Sequence, residues 1–301
     1  MTTTYTQVLV GGGSGFIGRH LMKSLNEKGY GVTIVSRIPG SQRISWDELR
    51  KSGLPKKTTA VVSLAGQNVL DPKKRWTPGF KQNVWTSRVN TTMALAQACL
   101  TSSVRPKVFV SISGVGIYSP SQTVEYTEES QVKEFDFLSQ LCHAWEGAAN
   151  SCSNIVRTVI IRSGVVLGKN GGMVKQLWLP FFLGLGGPVG PGNQYLPWIH
   201  IDDLTNLILY AIENEKVKGV LNGVAPDVIT NKEFSTAFAK AMSRPALFQI
   251  PTFALNLALS EERAKIMTEG QKVLPKKTLE TGFQFKYPRI SDAVQEIVSK
   301  S

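Results

Sequence analysis

Over the first 170 residues, short apolar runs alternate with amphipathic stretches. Gln7–Val10 reads as a strand, and Phe16–Lys28 follows with Ile17, Leu21 and Leu25 at helical spacing and Gly29 as its stop. Val32–Ser36, Ala60–Leu64, Val108–Ser111 and Thr158–Ile161 read as further strands, with helical patterns over about 79–100 and 136–150. Repeated strand–helix–strand units predict an α/β fold with a doubly wound parallel sheet covered on both faces.

After Gly168 the texture changes. Gly171, Gly172, Gly184, Gly186, Gly187, Gly190 and Gly192, with Pro180, Pro188, Pro191 and Pro197, predict a loop-rich lid or substrate-facing stretch. Ile199–Ile201 and Val220–Val224 read as strands, the second at a sheet edge, and Asp202 or Asp203 as the cap of a helix over Leu204–Ile212. The rest, roughly 232–301, is helical in pattern. The expected organisation is a core over 1–170 and a smaller, partly helical substrate region over 171–301, with 199–225 returning to the core sheet.

Composition narrows the function classes. The 301 residues include three cysteines and three histidines, scattered without metal-ligand spacing, so no metal site is expected. The formal charge of +12 raises nucleic acid or an anionic membrane as partners, but the basic clusters (Lys73, Lys74, Arg75; Lys272, Lys276, Lys277) are short. An anionic dinucleotide accounts for part of the charge equally well. The longest apolar stretches, such as Leu177–Leu185, fall short of the roughly 20 residues that span a bilayer. No targeting segment is visible, so the expectation is a cytoplasmic protein with no nucleic-acid or membrane partner; the oligomeric state stays open.

The chemistry-bearing signal is Gly12-x-x-Gly15-x-x-Gly18 between the first strand and the first helix. Such a loop needs glycine for the tight turn (Gly12), for backbone approach to a pyrophosphate (Gly15) and for helix packing (Gly18). The free N–H groups at the helix start, around Phe16 and Ile17, then face the phosphates. At the end of the second strand, where an NAD site carries a carboxylate, stand Ser36 and Arg37, with Arg43 nearby. A guanidinium suits the 2′-phosphate of NADP. Leu64-Ala65-Gly66 closes another strand, where small residues let a ribose approach. Asn83 and Arg88 lie on the following helix; Arg88 reads equally as a cofactor contact or a helix-surface charge.

Together these segments, with Ser111–Tyr118 and His200–Asp203, resemble the extended short-chain dehydrogenase/reductases, a Rossmann-type group. Arg75-Trp76, Ala144-Trp145-Glu146, Arg162–Gly168, Asn222–Pro226 and Glu269–Pro275 are similar to the atypical NAD(P)-dependent epimerase-family branch, whose bacterial members carry a cell-division-inhibitor label and a small C-terminal domain. The resemblance implies an NADP site at Gly12, Gly15, Phe16, Ile17, Gly18, Ser36, Arg37, Leu64, Ala65, Asn83, Arg88 and Val166, and an unnamed small-molecule substrate.

That superfamily moves protons with a Tyr-x-x-x-Lys pair and a serine. Here Leu138 stands for the tyrosine, Cys142 for the lysine and Gly114 for the serine. Tyr118, His200 and Cys142 are weighed as substitutes, each with a structural role as the stronger reading, so no catalytic residue is assigned. Two functions follow: an NADP-dependent oxidoreductase or epimerase-like enzyme with a non-standard acid–base group, or a catalytically silent NADP-binding sensor or scaffold.

Overall fold

The computed structural model describes residues 6–299 apart from Pro39 and Pro72. In chain order the elements are β1 (Gln7–Gly11), α1 (Phe16–Glu27), β2 (Gly31–Val35), β3 (Arg43–Ile44), α2 (Trp46–Ser52), β4 (Thr58–Ser63), α3 (Pro78–Thr86), α4 (Val89–Thr101), β5 (Val108–Gly114), β6 (Glu125–Tyr126), α5 (Phe137–Asn150), β7 (Arg157–Ser163) and β8 (Val165–Leu167). There follow α6 (Gly172–Phe182), β9 (Trp198–His200), α7 (Ile201–Glu213), β10 (Gly219–Gly223), α8 (Asn231–Ala241), α9 (Thr252–Leu259), α10 (Glu261–Thr268), β11 (Lys272–Val273), α11 (Lys276–Glu280) and α12 (Ile290–Ser299).

Seven strands form one parallel sheet in the order β10-β7-β5-β4-β1-β2-β3. The α/β class and the doubly wound topology are as expected. The chain winds outward from β1 to β2 and β3, then returns to β4 on the other side, so the topological switch lies between β1 and β4. Successive strand residues face opposite sides of the sheet. Val8 and Val10 join Leu21, Leu25, Leu204 and Leu207 on one face. Leu9, Val61 and Phe109 join Leu49, Leu95 and Cys99 on the other. Both faces are covered, which is why the strands read as continuous apolar runs. Helix α1 stops at Gly29, whose φ of +79° suits a residue without Cβ.

The second half differs from expectation in three places. Residues 172–182 form a helix; Gly171 is required because a Cβ there would lie 2.4 Å from the ring of Phe16. Val220–Gly223 does lie in the edge strand β10, but Ile199 belongs to β9, which pairs with β8 in a separate two-stranded sheet. Helix α7 begins at Ile201, and its cap is His200, whose ring accepts the Asp202 N–H at 3.2 Å. Asp202 instead meets His20 at 2.6 Å, and Asp203 accepts the backbone N–H groups of Lys286 and Tyr287.

A third core, built from Phe181, Trp198, Phe234, Phe238, Val294 and Ile297, joins α6, α8, α12 and β9. Polar anchors hold the C-terminal segment to the large sheet. Glu128 accepts the N–H groups of Asn222, Lys277 and Thr278. Strand β11 pairs with β6. The buried Arg263 donates to the carbonyls of Asp71 and Lys74.

Candidate functional site

The switch point brings the glycine fingerprint to the carboxyl ends of β1 and β4. Gly12 has φ +84°, and a Cβ on it would lie 2.6 Å from the Ala65 nitrogen. A Cβ on Gly18 would lie 2.4 Å from the Gly12 carbonyl oxygen. These two glycines are fixed by the packing of the chain on itself. Gly15 is different. Its φ of −73° and ψ of −179° suit any residue, and a Cβ there would meet only the Gly12 oxygen, at 3.3 Å. It caps α1 without a side-chain hydrogen bond and without an acidic residue in the first turn. The N–H groups that open α1, around Phe16 and Ile17, have no intrahelical acceptor and carry the positive end of the helix dipole. The ring of Phe16 packs beneath Gly168 and Gly171, tying the loop to the segment after β8. Ile17 packs on the core.

At the end of β2, Ser36 is buried and its hydroxyl accepts the Ile38 N–H at 3.2 Å, shaping the turn. Arg37 follows, exposed and without an ion pair among the described residues. Arg43, also exposed, stands on β3 beside Ile34 of β2. Residues 36–44 contain no carboxylate.

At the end of β4, Leu64 donates its N–H to Gly11, and Leu64 and Ala65 are half-buried against the glycine loop. Arg88 does not lie as a plain charge on the helix surface. Its guanidinium is turned inward, with its carbon 3.0 Å from where a Cβ on Gly66 would sit and 5.3 Å from the Trp145 ring centroid. It donates to the Val84 carbonyl and has no carboxylate partner among the described residues. Burial lowers its pKa to about 10. Asn83, on α3, is exposed. Val166 is half-buried on β8, its carbonyl oxygen 3.1 Å from where a Cβ on Gly172 would sit.

The residues weighed as acid–base groups are all buried. Tyr118 is fully buried, and its hydroxyl donates within a set formed by Thr127 O at 3.0 Å and Asn222 Oδ1 at 2.8 Å while accepting from Arg162 at 2.9 Å. Burial raises its pKa. Behind it, Arg162 makes a two-pronged ion pair with Glu146, 2.8 Å on each arm. Burial pulls the Arg162 pKa down, but the Glu146 carboxylate more than offsets this and raises it. His200 is buried, held by Asp202 N–H and lying 3.1 Å from Glu296, and burial lowers its pKa. Cys142 packs against Gly114, and burial raises its thiol to about 12, so it is neutral near pH 7. The Ser113 hydroxyl lies near that thiol, buried and without a well-formed hydrogen bond. Leu138 lies over Gly116. On α5, His143 is half-buried with Nε2 covered and unpaired.

Sequence reasoning missed the supporting groups Glu128 and Arg263, and gave no role to Asn222 and Gln271 within the motifs that contain them. Gln271 donates to the carbonyls of Val115 and Tyr118, bracing the turn after β5. Each is a lone polar residue whose partner lies far along the chain, so no local spacing marks it.

The sequence profile of the NAD dependent epimerase/dehydratase family matches residues 8–222, and a domain of unknown function (DUF1731) matches residues 250–297. The chain is 47% identical to the human epimerase family protein SDR39U1 over 293 residues, covering 97% of this chain and all of that protein. It is 38% identical to the chloroplastic SDR39U1 homolog of Arabidopsis thaliana, covering 97% of this chain and 86% of the plant protein. The crystal structure of human SDR39U1 (isoform2) with NADPH superposes with a TM-score of 0.96, covering 98% of this chain and 100% of that one. With a matching profile over most of its length and relatives of this identity, the chain belongs to the NAD dependent epimerase/dehydratase family.

Proposed function

We propose that this protein is an NADP-binding oxidoreductase or epimerase-like enzyme that works without the usual tyrosine–lysine pair. The observation that carries the cofactor choice is Arg37, an exposed guanidinium without an ion pair at the end of β2, where a carboxylate would select NAD. Gly15, Phe16 and Ile17 would face the pyrophosphate, with Gly12 and Gly18 shaping the loop. Ser36 and Arg37 would hold the 2′-phosphate, and Leu64, Ala65, Asn83, Arg88 and Val166 would line the rest of the dinucleotide's path. The crystal structure of the human relative with NADPH supports this reading. Residues 1–170 would form the cofactor half and 171–301 the substrate half, with β10 completing the cofactor sheet.

Arg37→Ala is expected to weaken NADPH binding by about 1.5–3 kcal/mol, the scale of a charged hydrogen bond, and to leave NADH nearly unchanged. Isothermal titration of both cofactors checks this. Equal affinity of the unaltered protein for NADPH and NADH would remove the role given to Arg37.

NADPH, when bound, supplies a hydride. The chain's part is to orient the cofactor and shield it. Arg88 would add positive charge at the nicotinamide end, where the lysine of the usual pair has become the neutral Cys142. A proton would have to come from the substrate or from water, because Leu138 cannot give one.

The silent-sensor reading draws on the same three replacements, Leu138, Cys142 and Gly114. Leu138→Tyr separates the two. In an enzyme that lacks only a proton donor, this change should raise NADPH-dependent reduction of simple carbonyl compounds by about 10²-fold, the lower end of what a placed acid contributes. Unchanged rates in a variant that still binds NADPH would favour the sensor. Lysine in place of Cys142 is a poor companion change, because its ammonium would meet Arg88.

A further inference from the structure

Residues 176–201 and residues 245–260 carry no Asp, Glu, Lys or Arg. The fold brings them together. Ile250 donates to the Pro188 carbonyl and accepts from the Gly190 N–H, and Val189 bridges to Ile250. Gly187 is there because a Cβ would lie 2.2 Å from the Phe248 oxygen.

Their large apolar side chains point outward. On α6 and just beyond it, Leu179, Phe182, Leu183 and Leu185 are each more than half exposed. The first three share one side of the helix turn by their spacing. From the second segment, Leu247 is 80%, Phe253 74% and Leu257 88% exposed, with Phe248 above half. Phe253 and Leu257 stand one turn apart on α9. Isolated exposed leucines are ordinary, but eight large exposed side chains on two segments that pack together mark a surface that meets something.

The rim of the patch says what. Lys175 stands one turn before Leu179 on α6, Lys240 lies in the last turn of α8, and Arg244 follows the end of that helix. Arg244 donates to the Phe182 carbonyl at 2.8 Å, and its guanidinium lies 5.4 Å from the Phe182 ring centroid. None of the three has a carboxylate partner among the described residues. The acids that follow α9 are already engaged, Glu262 by Lys81 and Glu261 by Lys265. The uncompensated charge around the apolar patch is therefore positive. A second copy of the chain would bring the same three cations against these, with +12 on each molecule opposing the approach.

We propose that this patch docks the protein on the surface of an anionic lipid bilayer, Phe and Leu side chains entering the headgroup–acyl boundary while Lys175, Lys240 and Arg244 meet lipid phosphates. Such a contact departs from the sequence expectation of no membrane partner. Among the described residues no helix is long and apolar enough to cross a membrane, so the contact is peripheral.

Co-sedimentation of the full chain with vesicles tests the proposal. Vesicles of phosphatidylcholine with about 30% phosphatidylglycerol should bind at least about tenfold more protein than pure phosphatidylcholine, with binding falling as salt rises. Phe253→Ser with Leu257→Ser should lower partitioning about tenfold or more. Lys240→Gln with Arg244→Gln should bring anionic vesicles down toward the neutral level. Thermal melting of each variant, unchanged because these side chains are exposed, reports an intact fold. Equal binding to neutral and anionic vesicles, or partitioning unaffected by the double serine variant, overturns the proposal. So does concentration-dependent dimerisation in sedimentation velocity that the serine variant abolishes, since the occupant would then be a second copy.

Discussion

Arg162→Ala is expected to destabilise the fold by about 3–5 kcal/mol, the usual cost of leaving a buried charge without its partner. The change strands Glu146, which is 8% exposed, and takes a donor from the Tyr118 hydroxyl. Tyr118 in turn holds Asn222, whose amide donates to the Leu274 carbonyl, so the loss reaches the C-terminal segment. Urea unfolding followed by circular dichroism measures it. Replacing both partners with apolar residues of similar volume, Arg162→Met with Glu146→Leu, should recover much of the loss, because the desolvation cost of both charges disappears together. A loss under about 1 kcal/mol in the single variant would mean that water reaches the pair, and that it behaves as a surface ion pair.

The second large effect separates glycines that fold the chain from the glycine that admits a ligand. Gly15→Val is expected to reduce NADPH affinity at least about 100-fold by placing a branched side chain in the pyrophosphate's path. Stability should change by less than about 1 kcal/mol, because the position has ordinary backbone angles and its Cβ meets one oxygen at 3.3 Å. Gly12→Ala and Gly18→Ala should do the opposite, losing stability first, because their Cβ atoms would press on backbone at 2.6 and 2.4 Å. Calorimetric titration with parallel thermal melts reads both quantities. A Gly15→Val protein that melts normally and titrates like the parent would place the dinucleotide elsewhere.

The strands of the central sheet were legible because burial on both faces writes them as unbroken apolar runs, as in Val8-Leu9-Val10 and Val159-Ile160-Ile161. The glycine loop was legible because its spacing is local. What failed was non-local. The glycines after 168 read as a loop-rich, substrate-facing stretch, yet Gly171 is small because the Phe16 ring, about 150 positions earlier, fills the space beside it. Trp198–His200 has the apolar pattern of a core strand but pairs with β8, a choice of partner that residue pattern does not encode. The cap of α7 was assigned to an aspartate on residue preference, and a histidine took it because Asp202 and Asp203 were committed to His20 and to the 286–287 backbone. Arg88 illustrates the same limit at the site. Its sequence position allowed either a cofactor contact or a helix-surface charge, and only the packing against Trp145 and Gly66 shows that the side chain turns inward.

The anchoring of residues 272–287 has a consequence for synthesis. Asp203 and Glu128 wait for backbone N–H groups that emerge from the ribosome well after them, at Lys277, Thr278, Lys286 and Tyr287. Until then, the buried Asp203 lacks both of its backbone partners, Glu128 has at most the Asn222 N–H, and Asn222 lacks the Leu274 carbonyl. At roughly 5–20 residues per second, the chain spends several seconds with these positions open after Asp203 has emerged. The nascent protein should therefore depend on holding factors through that interval, and gain its full protection against proteolysis in one late step rather than strand by strand.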